Sequence, residues 1–150
     1  MREWFTALAT PLIAIIGLCI AYQQHRLQRY QLKKDLFEKR WKIYLAVTKL
    51  LESSLRSKVE IEVVDQFNLD TMPASFLFGN EVANYLERLR DSYIRMSEIS
   101  EDKSEPDFAS DENKKVLNEE LRIKRKWMRE QLTESREVFK KYLCFNFNEV

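Results

Sequence analysis

The sequence predicts an all-α protein in which an N-terminal transmembrane helix continues into a long cytosolic helix packed in a small helical hairpin or bundle. Three observations carry that expectation. Trp4 to Tyr22 (WFTALATPLIAIIGLCIAY) is an unbroken uncharged run. Glycine and proline are so scarce that Pro11, Gly17, Pro73, Gly79 and Pro106 are the complete set. Through most of the remaining chain, apolar residues recur every three or four positions, the period of a helix with one buried face.

The nineteen residues of the apolar run, at about 1.5 Å rise each, nearly match the hydrocarbon core of a bilayer. Trp4 and Tyr22 bracket it as interfacial anchors. Residues 1–22 are therefore expected to form a transmembrane anchor, and residues 23–150 a single helical domain with a modest core. Only Arg2 precedes the run, whereas Arg26, Arg29, Lys33 and Lys34 follow it closely, so the positive-inside rule puts the N-terminus outside and the C-terminal domain in the cytoplasm. A cleaved signal peptide is the rival: Arg2 would serve as its basic start and Cys19-Ile20-Ala21 as a weak cleavage site, but no polar stretch separates that site from the apolar core. Cys19 and Cys144, one in the membrane segment and one near the C-terminus, are not expected to pair, in keeping with a reducing compartment.

No glycine or proline interrupts the chain between Gly17 and Pro73, so the first helix is expected to continue to about Ser57, its part beyond Tyr22 on the order of 50 Å long. A short helix, Val59 to Phe67, follows. Asn68 to Gly79 (NLDTMPASFLFG) is expected to be a turn with a buried aromatic end, Phe76 and Phe78, set near Trp41 and Tyr44. Asn80 then serves as the N-cap of a helix to about Ser100, with Val82, Leu86, Leu89, Tyr93 and Met96 along its apolar stripe. Glu101 to Ser110, acidic and containing Pro106, is expected to be an exposed loop. Asp111 caps a last helix to about Leu143, whose stripe is Leu117, Leu121, Met128, Leu132, Phe139 and Leu143. The alternating VEIEVV of Val59 to Val64 is the one strand candidate, and it has no evident partner strand.

Charge is nearly balanced overall, at +1, but unevenly placed. Gln23 to Lys49 holds eight Lys or Arg against Asp35 and Glu38, and Glu98 to Glu120 holds nine acids against three lysines. The two segments are able to attract each other.

Asp35 to Tyr44 (DLFEKRWKIY) close behind an N-terminal membrane helix, with Phe76 to Gly79 (FLFG) before a helix containing Tyr85-Leu86, resembles a widespread family of small bacterial single-pass membrane proteins of unassigned function. The resemblance covers most of the chain, and its motifs are core patterns without chemistry. It implies the bacterial inner membrane as location. Some proteins with this general plan act as membrane effectors in antiviral defence, which implies a class of function and no site residues.

Ala7, Thr10, Ala14, Gly17 and Ala21 are spaced three and four apart, on one face of the membrane helix, where small residues let helices approach closely in lipid. The same register continues into Gln24, Gln28 and Gln31, then Asp35 and Glu38. This face is the candidate seam for a homo-oligomer, with the Gln ridge facing a neighbour, a wet pore axis or plain solvent. A second stripe, Leu27, Tyr30, Phe37, Trp41, Tyr44, Thr48, Leu51 and Leu55, interrupted at Lys34, lies about 100° around the helix and is expected to pack on the protein's own cytosolic helices. Arg26, Arg29, Lys33 and Lys34 are candidates for anionic lipid head groups. Arg122, Lys124, Arg125, Lys126 and Arg129 surround Trp127 and form a candidate anion or partner patch, although residues so close along a helix spread around it and a solvated face is the simpler explanation.

Catalysis has little to stand on. His25 is the only histidine, and the arginine-to-histidine spacing of many helical ribonucleases is absent because no histidine follows any cytosolic arginine. No Cys or His cluster offers a metal site. The expectation is a protein without cofactor or enzymatic activity, whose partners are the membrane, further copies of itself and a cytosolic protein, with nucleic acid disfavoured. Two functions of different class follow. One is a pore or membrane-perturbing effector controlled by the cytosolic domain, and the other is an anchored binding or scaffold module that localises a partner protein.

Overall fold

A computed structural model describes residues 2–56, 61–102 and 111–144, with side chains from Ile13 onward except at 102, 111 and 112. The fold is all-α. Five helices are present, α1 (Arg2–Ser54), α2 (Glu62–Thr71), α3 (Ala74–Phe78), α4 (Asn80–Asp102) and α5 (Asp111–Leu143), and no strand occurs among the described residues. The strand candidate's second half, from Glu62, lies in α2; residues 57–60, most of the expected loop at 103–110 and the tail at 145–150 lie outside the described residues.

The chain divides into two compact units, Met1–Glu38 and Lys39–Val150. In the first, every described side chain from Ile13 to Leu36 is exposed. Among the described residues no helix is long and apolar enough to cross a membrane. The expected transmembrane run, Trp4 to Tyr22, lies within α1, with its side chains described from Ile13 onward.

In the second unit α4 packs against α2, α3 and α5. Its expected stripe is buried: Val82, Leu89, Tyr93 and Met96 are fully enclosed and Leu86 nearly so, with Tyr85 and Ile99 extending the same face. On α5, Leu121, Met128 and Phe139 are buried, while Leu117, Leu132 and Leu143 pack half-buried against them. Both helices follow the 3.6-residue period because each lays one face on a common core.

The part of α1 in this unit follows a different stripe from the expected one. Ile43, Val47, Leu50 and Ser54 face the core together with Ala46 and Leu51, whereas Trp41 and Leu55 are exposed and Tyr44 and Thr48 half-buried. The buried face is thus rotated by about one residue, or 100°. Aromatic residues at the edge of the apolar sector made the wrong face look the more hydrophobic.

The corner also differs. Helix α2 begins at Glu62 and runs to Thr71, later at both ends than the expected Val59 to Phe67. The expected turn at Asn68 to Gly79 contains the helical turn α3, started after Pro73, whose carbonyl accepts from the Phe76 and Leu77 amides. Phe78 is buried as expected, but Phe76 is 91 % exposed. On one helical turn two residues apart they point to different sides. Gly79, at φ 83°, reverses the chain, and its carbonyl accepts from the Ala83 amide at 3.3 Å. Gly79 therefore occupies the N-cap of α4 in place of Asn80, a position whose positive φ suits only glycine cheaply.

Candidate functional site

The expected oligomer or pore face can be placed from Ala14 onward; the side chains of Ala7 and Thr10 lie outside the described residues. Ala14, Gly17, Ala21, Gln24, Gln28 and Gln31 are all exposed on α1, and no atom comes within 4 Å of the place a Gly17 Cβ would take. The seam has room for another helix. Exposure alone does not single it out, however, since Ile13, Leu18 and Tyr22 on other faces are exposed by 68 to 73 %.

Of the bases that follow the apolar run, Arg26, Arg29 and Lys33 recur at three- and four-residue spacing and share one face of α1, while Lys34 stands a step aside and reaches Glu38 at 3.6 Å. All four are exposed. Held in water, such an i,i+4 pair contributes about 0.3–0.5 kcal/mol at most, so these charges remain available to phosphate oxygens.

The five bases of α5 do not converge. Arg122, Lys126 and Arg129 lie exposed on the outer face, whereas Lys124 and Arg125 are half-buried beside it. Trp127 packs half-buried against the core. Arg122 is already engaged with Glu119, its Nε donating at 2.8 Å, and this hydrogen-bonded charge raises the Arg122 pKa and lowers that of Glu119. The acids Glu119 and Glu120 are thus taken by Arg122 and by Arg95 of α4.

Arg40, one of the eight bases between Gln23 and Lys49, is central to this unit. Arg40 donates from Nε and Nη2 to the Leu77 carbonyl at 3.3 and 3.2 Å and from Nη1 to the Tyr142 carbonyl at 3.3 Å. Its guanidinium also lies 5.8 Å from the ring centres of Phe78 and Tyr142. Those two carbonyls sit at the C-terminal ends of α3 and α5, where helices leave acceptors unsatisfied and carry partial negative charge. Arg40 so fastens three elements at one point, inside an aromatic cluster in which Phe78 meets Phe139 and Tyr142 edge-on at 5.1 Å and Phe139 meets Tyr44 at 5.5 Å. Phe78 therefore stands beside Phe139 and Tyr142, and the Trp41 ring pairs with Tyr44 at 5.4 Å at the cluster's margin. The FLFG and RWKIY patterns meet here for a structural reason.

Elsewhere in this unit a cleft of about 330 Å³ opens between α2, α3 and α4, lined by residues that include Phe67, Asn68, Thr71, Met72, Glu87 and Arg90. Near it Leu69, Met72 and Phe76 are exposed by 64 to 91 %. Nothing in its lining offers a nucleophile paired with a base. The Tyr85 hydroxyl is buried without a hydrogen-bond partner; burial, reinforced by the charge of Glu134, pushes its pKa above the usual phenol range and keeps it neutral. His25, Cys19 and Cys144 are exposed, both thiols being free. Among the described residues no group of three or more His, Cys, Asp or Glu side chains is placed to hold a metal ion. No family model, no curated protein and no solved structure matches the chain.

Proposed function

We propose that the protein is an oligomerising single-pass membrane protein, a pore-forming or membrane-perturbing effector of the kind used in antiviral defence, with Lys39–Val150 as its cytosolic controlling unit. The observation that carries this reading is the uncharged run Trp4 to Tyr22 followed at once by Arg26, Arg29, Lys33 and Lys34, an arrangement that suits a bilayer span with its C-terminal side against anionic head groups. Support comes also from the exposure of every described side chain between Ile13 and Leu36, since a large apolar surface left open on a helix needs lipid or a partner. In the bacterial inner membrane, N-terminus outside, small residues from Ala7 to Ala21 would seat neighbouring helices, with Thr10 and the ridge Gln24, Gln28 and Gln31 along a wet axis.

Expression of the full chain with a reporter at Val150 tests the anchor and its direction. The expected result is cytoplasmic reporter activity in an alkali-resistant membrane fraction; periplasmic activity would reverse the orientation, and release by carbonate would remove the anchor. Ion flux then tests the pore. Gly17→Leu and Ala14→Leu should abolish it, Ile15→Leu should not, and Gln28→Leu should alter it while the oligomer persists.

The second reading is an anchored scaffold that localises a partner protein, favoured by the exposed Leu69, Met72 and Phe76 beside the cleft on the cytosolic unit. Such a module would tolerate all the changes on α1 so long as the chain still inserts.

A further inference from the structure

We propose that α1 pairs in parallel with α1 of a second copy of the chain, along a heptad stripe that runs from Ile13 to Phe37. In that register Ile13, Ile20 and Leu27 occupy a positions and Ile16, Tyr30 and Phe37 occupy d positions, with Gln23 the polar residue at the remaining d position. The first five of these apolar residues to Tyr30 are exposed by between 50 and 68 %. The stripe is the upstream part of the pattern that would have packed on the protein's own helices, and in the fold it is left open from Ile13 to Tyr30.

The flanking charges identify the occupant. Arg26 and Lys33 fall at g positions, Gln31 and Glu38 at e positions. An antiparallel pair sets g against g and would bring Arg26 and Lys33 of one copy to the bases of the other. A parallel pair sets g against the following e, which places Lys33 of one copy beside Glu38 of the other. Lys34, the one charged residue at a core position, fixes the register at some cost in stability. The Gln ridge and the seam Ala14, Gly17 and Ala21 are centred about 100° around the helix and share with this contact only the e positions Gly17, Gln24 and Gln31, and the proposal does not rest on the membrane reading. A chain that used both faces would meet two neighbours.

The test uses the full chain with Cys19→Ser and Cys144→Ser, carrying a single new cysteine and oxidised with copper phenanthroline in mild detergent. Tyr30→Cys, at a d position, brings two thiols within disulfide range and should cross-link about tenfold more than Leu32→Cys, which faces outward at f. Equal cross-linking at both positions would overturn the proposal. Cross-linking at Gln28→Cys without any at Tyr30→Cys would also overturn it, and would leave the pore face as the contact. A charge swap supplies a readout that does not depend on new thiols: Lys33→Glu and Glu38→Lys should each weaken association about threefold, in line with exposed ion pairs, and together restore it. A double variant as weak as the two losses combined would show that the residues do not meet across copies and would overturn the parallel register.

Discussion

Residues 39–144 and residues 13–38 carry the same kind of sequence, long helices with apolar stripes, and meet opposite fates. In the first region α1, α4 and α5 each bury a face, and Ile43, Leu89, Met128 and Phe139 are at most 1 % exposed. In the second, nothing from Ile13 to Leu36 is covered. Periodicity states that a face needs a partner, and only the region that contains its own partners can satisfy the need within one chain. The open stretch of α1 is consequently where a contact between molecules is to be sought, and the buried faces of the closed region are where substitutions should act on stability.

The largest effects sharpen that division within the closed region. Phe139→Ala and Phe78→Ala remove rings from the shared aromatic cluster and should each cost about 3–5 kcal/mol, with chemical denaturation of the full chain as the measurement. Phe76→Ala, two residues away in the same motif but exposed, should stay within about 0.5 kcal/mol. Equal losses from Phe76 and Phe78 would mean that α3 is turned the other way.

Arg40→Met comes next. It keeps the side-chain length but withdraws three donors from the helix-end carbonyls of Leu77 and Tyr142, and should destabilise by about 2 kcal/mol, within the range for charged hydrogen bonds. Arg40→Lys should recover less than half of that, because one ammonium cannot reach both carbonyls in a fork. A neutral Arg40→Met would show that the junction is held by ring packing alone.

These residues also mark how far the sequence can be read. The α4 stripe and most of the α5 stripe were legible because their apolar and polar positions alternate cleanly at helical spacing. The core face of α1 was not, since Trp41, Tyr44 and Leu55 compete with Ile43, Val47 and Leu50 on adjacent sectors and only the shape of the corner decides between them. Pro73 and Gly79 announced a break, yet not that five residues between them close into α3 or that Gly79 itself caps α4. Arg40 was invisible as a junction: its acceptors are backbone carbonyls 37 and 102 residues away, and carbonyls leave no signature in a sequence. The five bases of Arg122 to Arg129 spread over α5 much as helical geometry requires, which leaves α1 as the more productive candidate.

Smaller effects are expected from ion pairs in the same closed region. Arg95 grips Glu120 through Nε and Nη2 at 2.9 and 3.0 Å and joins α4 to α5, but both side chains are more than a third exposed, so Glu120→Gln should cost less than about 1 kcal/mol. The hydrogen bonds from Arg95 hold the Glu120 carboxyl below its ordinary pKa of 4.5. A carboxyl depressed in the folded state stabilises fully above the unfolded value and loses that contribution as pH falls through the folded one. The wild type should therefore lose slightly more stability than Glu120→Gln below about pH 4.5, and identical acid limbs in urea titrations would argue that the pair is not formed in solution.

The smallest effect on stability should come from the open region, and this is what makes it informative. Ala14→Leu sits on an exposed helical face, and both residues are good helix formers, so the intrinsic change is about 0.2 kcal/mol. Gly17→Leu replaces the poorer helix former at a place with nothing within 4 Å, and should slightly favour the helix, by under about 1 kcal/mol. Neither change should move the denaturation midpoint of the Lys39–Val150 core, whose unfolding is reported by the buried Tyr93 and the half-buried Trp127. If the same two variants alter the mass of the detergent-solubilised protein while that midpoint stays fixed, the exposed face of α1 acts between molecules and the core acts within one. A fall in the core midpoint would instead mean that these side chains help to hold the single chain together, and the contrast between the two regions would be lost.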